Sequence, residues 1–309
     1  MAQASPITLE NAVAWLARQR QTQEKVPSET VRYGEWMLEH HQLHALGDHV
    51  WAFLEQVGTA AAEVGNQGLA ELCVSRIAER FPDSARVVLL QGALLESRGK
   101  AAEAQALYES FLKTEPSHIL VNKRCVAAIR AQPDGVALAT AALAELVDVF
   151  SGDEEAWLEL AALYVEQHKY AQAAYALEEV LLLSPHNVFY LLKYAEVLYT
   201  MGEAAKAYKV YLRILELGNG NLADTKHPED RTQGPWLRAL WGLKMCTAQL
   251  TAPKTKTASS DGDASAQDVS KVDAMVTKLL MEGTYAADAH APAPASMRAA
   301  ARTVLANTP

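Results

Sequence analysis

The feature that most constrains this chain is a period. Five segments align when started at Trp51, Ala85, Ile119, Glu154 and Val188, at steps of 34, 34, 35 and 34 residues. A repeat of this length is one supersecondary unit that cannot bury its apolar face alone. The units must therefore stack, each touching chiefly its neighbours. Ala is abundant and the β-branched, aromatic alternation of strands is scarce, which points to helices throughout.

Fixed offsets carry the chemistry that a stacked helical hairpin needs. The eighth position reads Gly58, Gly92, Val126, Ala161 and Ala195. The twentieth reads Ala70, Ala104, Leu138 (or Ala139, allowing for the extra residue), Ala173 and Ala207. Small side chains there let the two helices approach, and the third unit, bulkier at both, is expected to pack more loosely. The twenty-fourth position holds Val74, Tyr108, Leu143, Leu177 and Tyr211, large apolar wedges between units. The thirty-second holds Pro82, Pro116, Ser151, Pro185 and Asn219, where proline ends a helix. Gly65, Gly99 and Gly202 fall where the first helix turns into the second, a place for left-handed backbone. Pro133-Asp134-Gly135 takes that turn in the third unit. Length and offsets are those of the tetratricopeptide repeat. The predicted fold is all-α: a helical-hairpin solenoid wound as a right-handed superhelix.

The array occupies residues 51–250, with units starting near 51, 85, 119, 154, 188 and 235. The sixth is damaged: Trp236 to Gln249 reads as its first helix, Gly242 as its small position, and 219–235 as a loop inserted before it. Residues 1–50 read as capping helices, Thr8 to Arg20 and Ser28 to Leu46, with Thr8 and Ser28 as N-caps and Val31, Trp36, Leu38 and Leu43 as an apolar side. Residues 251–309 read as a tail. It comprises a flexible linker over 251–270, a short helix from Val272 to Met281, an extended Ala291-Pro292-Ala293-Pro294 spacer and a last helix from Ser296 to Asn307. That last helix reads as docked on the array, as touching a membrane surface, or as no more than a frayed tail.

The formal net charge is −9. Residues 251–309 balance six Lys/Arg against six Asp/Glu, so the acidic excess belongs to the array and its cap, and nucleic acid is a poor partner. Cys73, Cys125 and Cys246 show neither a disulfide framework nor metal spacing and fit a reducing compartment. No signal peptide and no apolar run long enough to span a bilayer is present, so a soluble chain is expected, reaching a membrane only through partners.

The candidate chemistry has plain explanations. His40, His41, His44 and His49 cluster, with His40 and His44 on one helical face, but no acidic or cysteine partner completes a metal set. Asp153-Glu154-Glu155 opens a helix, where negative charge suits the helix dipole. Glu178 and Glu179 read as solvated, and His227-Pro228-Glu229-Asp230 matches no catalytic motif. There is no phosphate loop and no nucleophile elbow. No catalytic, cofactor-binding or metal-binding residue is assigned, no small-molecule substrate is expected, and the chain reads as a non-enzyme.

What remains is surface. First helices of such a solenoid line its inner side, and offsets 2, 5, 9 and 12 should face inward. The residues selected as a partner-binding groove are Arg86, Leu89, Lys123, Arg130, Leu158, Val165, Phe189, Leu192, Glu196 and Tyr199. The mixture, basic in the third unit and apolar in the fourth and fifth, suits an extended or helical peptide. A carboxylate clamp needs Lys and Asn at offsets 5 and 9. Only Lys123 fits, without an Asn, so that use is disfavoured.

Particular strings go beyond the generic repeat: Gly152 to Ala161 (GDEEAWLELA), Tyr170 to Ala174, Ser184-Pro185-His186-Asn187 and Tyr194 to Thr200 (YAEVLYT). With Gly47-Asp48, Trp51, Arg80-Phe81-Pro82 and Ala239 to Leu243 they resemble subunit two of the endoplasmic reticulum membrane protein complex, over about residues 28–250. The resemblance implies a scaffold on the cytosolic face of that membrane. It would hold cytosolic segments of membrane-embedded subunits and a globular cytosolic subunit while the complex inserts transmembrane segments, tail anchors included. It carries over no catalytic residue. The alternative is a repeat adaptor in another cytosolic assembly.

Overall fold

In a computed structural model, residues 7–22, 24–218, 234–251, 266–286 and 293–307 are described, and every regular element among them is helical. The chain divides into two compact units, Met1–Leu146 and Val147–Pro309.

The first unit opens with α1 (Leu9–Thr22) and α2 (Pro27–Glu39), followed by a 3₁₀ segment, Gln42–His49. Three hairpins follow: α3 (Val50–Val64) with α4 (Gln67–Arg80), α5 (Ala85–Ser97) with α6 (Ala101–Leu112), and α7 (Ile119–Arg130) with α8 (Gly135–Val149), whose last residues enter the second unit. Thr8 caps α1 as expected, its Oγ1 accepting from the Asn11 N–H at 3.4 Å. Ser28 does not cap α2. Pro27 occupies the first helical position, where its missing N–H costs nothing, so the helix starts ahead of Ser28. Nor does α2 reach Leu46: it ends at Glu39, and His41 takes a left-handed φ of 53°.

Within the hairpins, small residues sit where large ones must fit. A Cβ on Gly92 would lie 2.0 Å from the Tyr108 hydroxyl, so the ring fills the glycine's space. Tyr108 is fully buried, packs with Val121, Cys125 and Ala128 of the next hairpin, and donates its O–H to Glu96 at 2.7 Å. The wedge expected at this offset therefore works on both sides. In the third hairpin Ala139 is buried and Leu138 exposed. The extra residue is absorbed in the turn, and the twentieth position stays small. The expected bulk there is corrected to Val126 alone.

The turns share one conformation. Gly65, Gly99 and Gly202 have φ of 84°, 71° and 92°; Asp134 and His168 take the same left-handed region at 58° and 59°. His168 stands at the fourth unit's glycine offset without being glycine. Side-chain caps also recur: Ser84, His118, Asp153 and Asn187, one residue before α5, α7, α9 and α11, each accept a backbone N–H of the first turn.

The second unit holds α9 (Glu154–Glu166) with α10 (Tyr170–Leu183), α11 (Val188–Thr200) with α12 (Ala204–Gly218), then α13 (Pro235–Thr251), α14 (Ala266–Lys278), a π-helical turn at Leu279–Thr284 and α15 (Ala295–Asn307). One core joins α11 to α15, through Leu192, Leu198, Tyr211, Leu240, Leu243, Val276, Leu280 and Leu305. The sixth first helix, α13, has found a second in α14. A Cβ on Gly242 would stand 2.3 Å from Tyr211 Cζ, so the fifth unit's wedge seats on the sixth unit's glycine. Buried Lys244 donates to Asp273 Oδ2 at 2.7 Å, and the Thr247 hydroxyl donates to Asp273 Oδ1 at 2.6 Å. Trp241 Nε1 donates to the Tyr285 hydroxyl, and Arg302 Nε donates to the Tyr285 carbonyl at 3.0 Å. Residues 266–307 thus include helices docked on α13, and helix begins at Ala266, inside the stretch read as linker. The inserted loop up to Gln233, with His227-Pro228-Glu229-Asp230, the linker from 252 to 265 and Ala291-Pro292 lie outside the described residues.

Candidate protein-binding surface

The ten selected residues stand on first helices, and the structure sorts them. In the first unit Arg86 is exposed, with Nη1 3.5 Å from Glu55 Oε2 on the preceding first helix. Leu89 is half-buried against the cluster around Tyr108. Lys123 is half-buried and Arg130 exposed, and neither is a free cation. Arg124, which sequence reasoning passed over, places Nη1 3.2 Å from Glu96 Oε2, on the same carboxylate that receives Tyr108. Charge on this face therefore goes first into struts between successive hairpins. Such half-exposed pairs contribute little stability each, but they fix side-chain positions.

The second unit is different. Phe189 is 61% exposed at the start of α11, Val165 is exposed near the end of α9, and Leu158 and Tyr199 are half-buried. Met201, not foreseen, adds a further exposed apolar side chain. Leu192 departs from expectation. It is 3% exposed and belongs to the core shared with α12 and α13, because the sixth hairpin closes over that flank of α11. It is withdrawn from the surface. Glu196 accepts from Arg238 Nη2 at 2.6 Å, the same strut pattern as in the first unit.

The helix starts that carry Leu158 and Phe189 are tied together. Ser184 Oγ donates to Glu154 Oε2 at 2.6 Å, and the Tyr190 hydroxyl bonds the same carboxylate. These two bonds, Ser184 first, hold the Glu154 carboxyl below its ordinary value, and the same contact raises the Tyr190 hydroxyl. The joint links the end of α10 with the beginnings of α9 and α11. Its signal in the sequence was Ser184-Pro185-His186-Asn187, legible as a cap and turn but not as a bridge to Glu154.

The other candidates disperse. Because α2 stops at Glu39, His40 and His44 do not share a helical face. His40 Nδ1 lies 2.8 Å from the Trp36 carbonyl and His44 Nδ1 3.2 Å from that of His41. No group of three His, Cys, Asp or Glu side chains suited to a metal occurs among the described residues. Cys73, Cys125 and Cys246 are buried free thiols, pushed up by burial to about 11, 11 and 12, so they stay protonated near neutral pH. Among the described residues no helix is long and apolar enough to cross a membrane.

Residues 77–212 match the model of the EMC2 TPR-like repeat domain. ER membrane protein complex subunit 2 of Xenopus tropicalis is 34% identical over 225 residues, which are 72% of this chain and 70% of the frog protein. The chain belongs to this family. The subunit 2 of Dictyostelium discoideum is also 34% identical, over 64% of this chain and 61% of its own. The strings around Trp157 and Tyr194 lie inside the stretch matched by the EMC2 repeat domain. Among solved structures, MamA from Desulfovibrio magneticus RS-1 covers 57% of this chain at 17% identity and a TM-score of 0.43, a loose likeness.

Proposed function

We propose that this chain is the repeat-built scaffold subunit of an endoplasmic reticulum membrane protein complex. It stands on the cytosolic face and holds cytosolic segments of membrane-embedded subunits together with a globular cytosolic subunit. Through that assembly it supports insertion of transmembrane segments, tail anchors among them. Membership of the subunit 2 family carries this reading. The exposed apolar side chains of α9 and α11 supply a place for a partner segment, since large apolar groups presented to solvent on a rigid helix pair are what a peptide-binding face requires. Phe189, Val165, Leu158 and Tyr199 form its apolar part, with Glu196 beside them; Arg86, Leu89, Lys123 and Arg130, on the first unit, make partner contacts of their own. The role is positional and needs no chemistry.

Affinity capture of the tagged full chain from a native detergent extract tests the assembly. Membrane-embedded subunits are expected to come with it, and recovery of soluble proteins alone would refute the reading. The face is tested by Phe189→Asp with Val165→Asp. Both sites are exposed, so the melting temperature should hold while capture is lost. Leu192 is left untouched, because a charge there would unfold the unit and mimic lost binding. Undiminished capture by the folded double variant would move the binding face elsewhere.

A further inference from the structure

A second surface lies on the other helix of the fourth hairpin. On α10, Tyr175 and Leu182 are seven residues apart and so share one helical face, exposed by 57% and 76%. Val149, 74% exposed, follows Asp148, whose charge acts on the Tyr175 hydroxyl, so the end of α8 lies near this face. Leu182 and Val149 are the most exposed large apolar side chains among the described residues, and Leu183 adds to them. Isolated apolar groups on a surface mean little; several on one face call for a cover.

The charge around the face says what kind of cover. From Val147 to Leu183 the chain carries eight acidic residues, Asp148, Asp153, Glu154, Glu155, Glu159, Glu166, Glu178 and Glu179, against one basic residue, Lys169. That is a net −7 over this stretch of a chain whose total is −9, and Asp148, Glu178 and Glu179 are the three carboxylates nearest the face. No Lys or Arg occurs in α10 itself. Glu178 and Glu179 flank the face within the helix and spend their hydrogen bonds on hydroxyls, of Tyr194 (2.6 Å) and Tyr175, not on cations. Among the described residues no cation pairs with Glu178 or Glu179, so their negative charge stands at the rim of an apolar stripe. A bilayer bearing anionic lipid is repelled by such a field, and a second copy would set acid against acid.

We infer that this face of α10 docks an amphipathic helix of a partner protein, with apolar residues at helical spacing seated on Tyr175, Leu182 and Val149 and Lys/Arg residues along its flanks facing Asp148, Glu178 and Glu179. The surface belongs to a second helix, separate from the face of α9 and α11, and the inference stands whether or not that face binds a partner segment. Steering by the acidic rim brings the helix in; burial of the stripe holds it.

The test uses the full chain and a fluorescein-labelled peptide of leucine and lysine, leucines at i, i+3, i+4 and i+7 and lysines elsewhere. A peptide with glutamate in place of each lysine serves as control. The lysine peptide is expected to raise fluorescence anisotropy, to weaken as salt is added, and to lose about tenfold in affinity with Leu182→Lys, while the glutamate peptide stays unbound. Glu178→Gln with Glu179→Gln should weaken binding and flatten its salt dependence, keeping the inference testable if Leu182→Lys fails to fold. Leu138→Lys, at an exposed leucine of α8 in the first unit, should leave binding unchanged. Retention of binding with Leu182→Lys would overturn the assignment, with loss by Val165→Lys in that case giving the peptide to the first-helix face. So would a concentration-dependent dimer abolished by Leu182→Lys, which gives the face to a second copy. Sedimentation with vesicles of phosphatidylcholine and phosphatidylserine in a Leu182-dependent manner would overturn it as well.

Discussion

The two ends of the array are closed by unrelated sequence that solves one problem twice. At the start, a Cβ on Gly34 of α2 would lie 2.6 Å from the methyls of Val57 on α3. At the finish, Gly242 of α13 admits the Tyr211 ring. Both ends pair this close approach with a polar network, and there they part. The first centres on amides and holds no buried ion pair: Thr30 Oγ1 donates to Gln19 Oε1, and Gln56 donates to Gln19 and accepts from the half-buried Arg20 Nη1 at 2.8 Å. The last buries a charge pair, Lys244 with Asp273, where Lys244 has 5% side-chain exposure. A network of amides loses hydrogen bonds when cut but strands no buried ion. A buried pair leaves an ion without its counterion, so the second end should be the more brittle.

Asp273→Ala should break the comparison hardest. It leaves the Lys244 ammonium buried and unpaired, at a cost of about 3–5 kcal/mol by chemical denaturation. Lys244→Met with Asp273→Leu should restore most of that loss. A double variant as weak as the single would show that the charge was not the cause. Next comes Gly242→Ala, costing about 1–3 kcal/mol because an aromatic ring cannot rotate out of the way. Gly34→Ala should cost less, since Val57 has only methyls to turn. Gln56→Ala, at the amide end, should cost about 1–2 kcal/mol.

The cysteines report which end has opened. Cys73 is buried in the first unit's core and Cys246 in the second's, and both are unreactive while folded. Asp273→Ala should accelerate alkylation of Cys246, about tenfold per 1.4 kcal/mol lost, and leave Cys73 slow. Equal acceleration at both would mean that the ends do not open separately. The smallest effect is expected between them, at Glu154. Its folded carboxyl is held below the unfolded value of about 4.3, so its contribution is complete above that value and fades as pH falls toward the folded one. Ser184→Ala should flatten that acid-side loss, seen as a smaller drop in melting temperature between pH 5 and pH 3 (both about) than in the parent chain.

The periodic part of the fold was legible because it is over-determined. First helices begin at Val50, Ala85, Ile119, Glu154 and Val188, where a spacing of 34 or 35 is backed by a break, a small position or both. Legibility failed wherever one residue had to speak alone. His168 carries a left-handed turn that reads as glycine elsewhere, and only its offset marks it. Leu192 occupies an inward-facing offset, yet the sixth hairpin covers it, a fact contained in no window around α11. The closing helices α14 and α15 were legible as helices over 272–281 and 296–307, but not as part of the core, for the same reason. Their buried residues, Val276, Leu280 and Leu305, make sense only against α13. The polar struts were invisible too, since Glu96 and Arg124 are ordinary helix residues until two hairpins stack.

One extra residue in the third hairpin, taken up between Gln132 and Gly135, has a wider consequence. The step to the next unit lengthens from 34 to 35, yet the small residue Ala139 still faces inward and α9 still begins on its cap. The turn works as an expansion joint. Length drift in such an array is absorbed locally and is not passed down the chain, so lineages can gain or lose residues at turns while each hairpin keeps its phase.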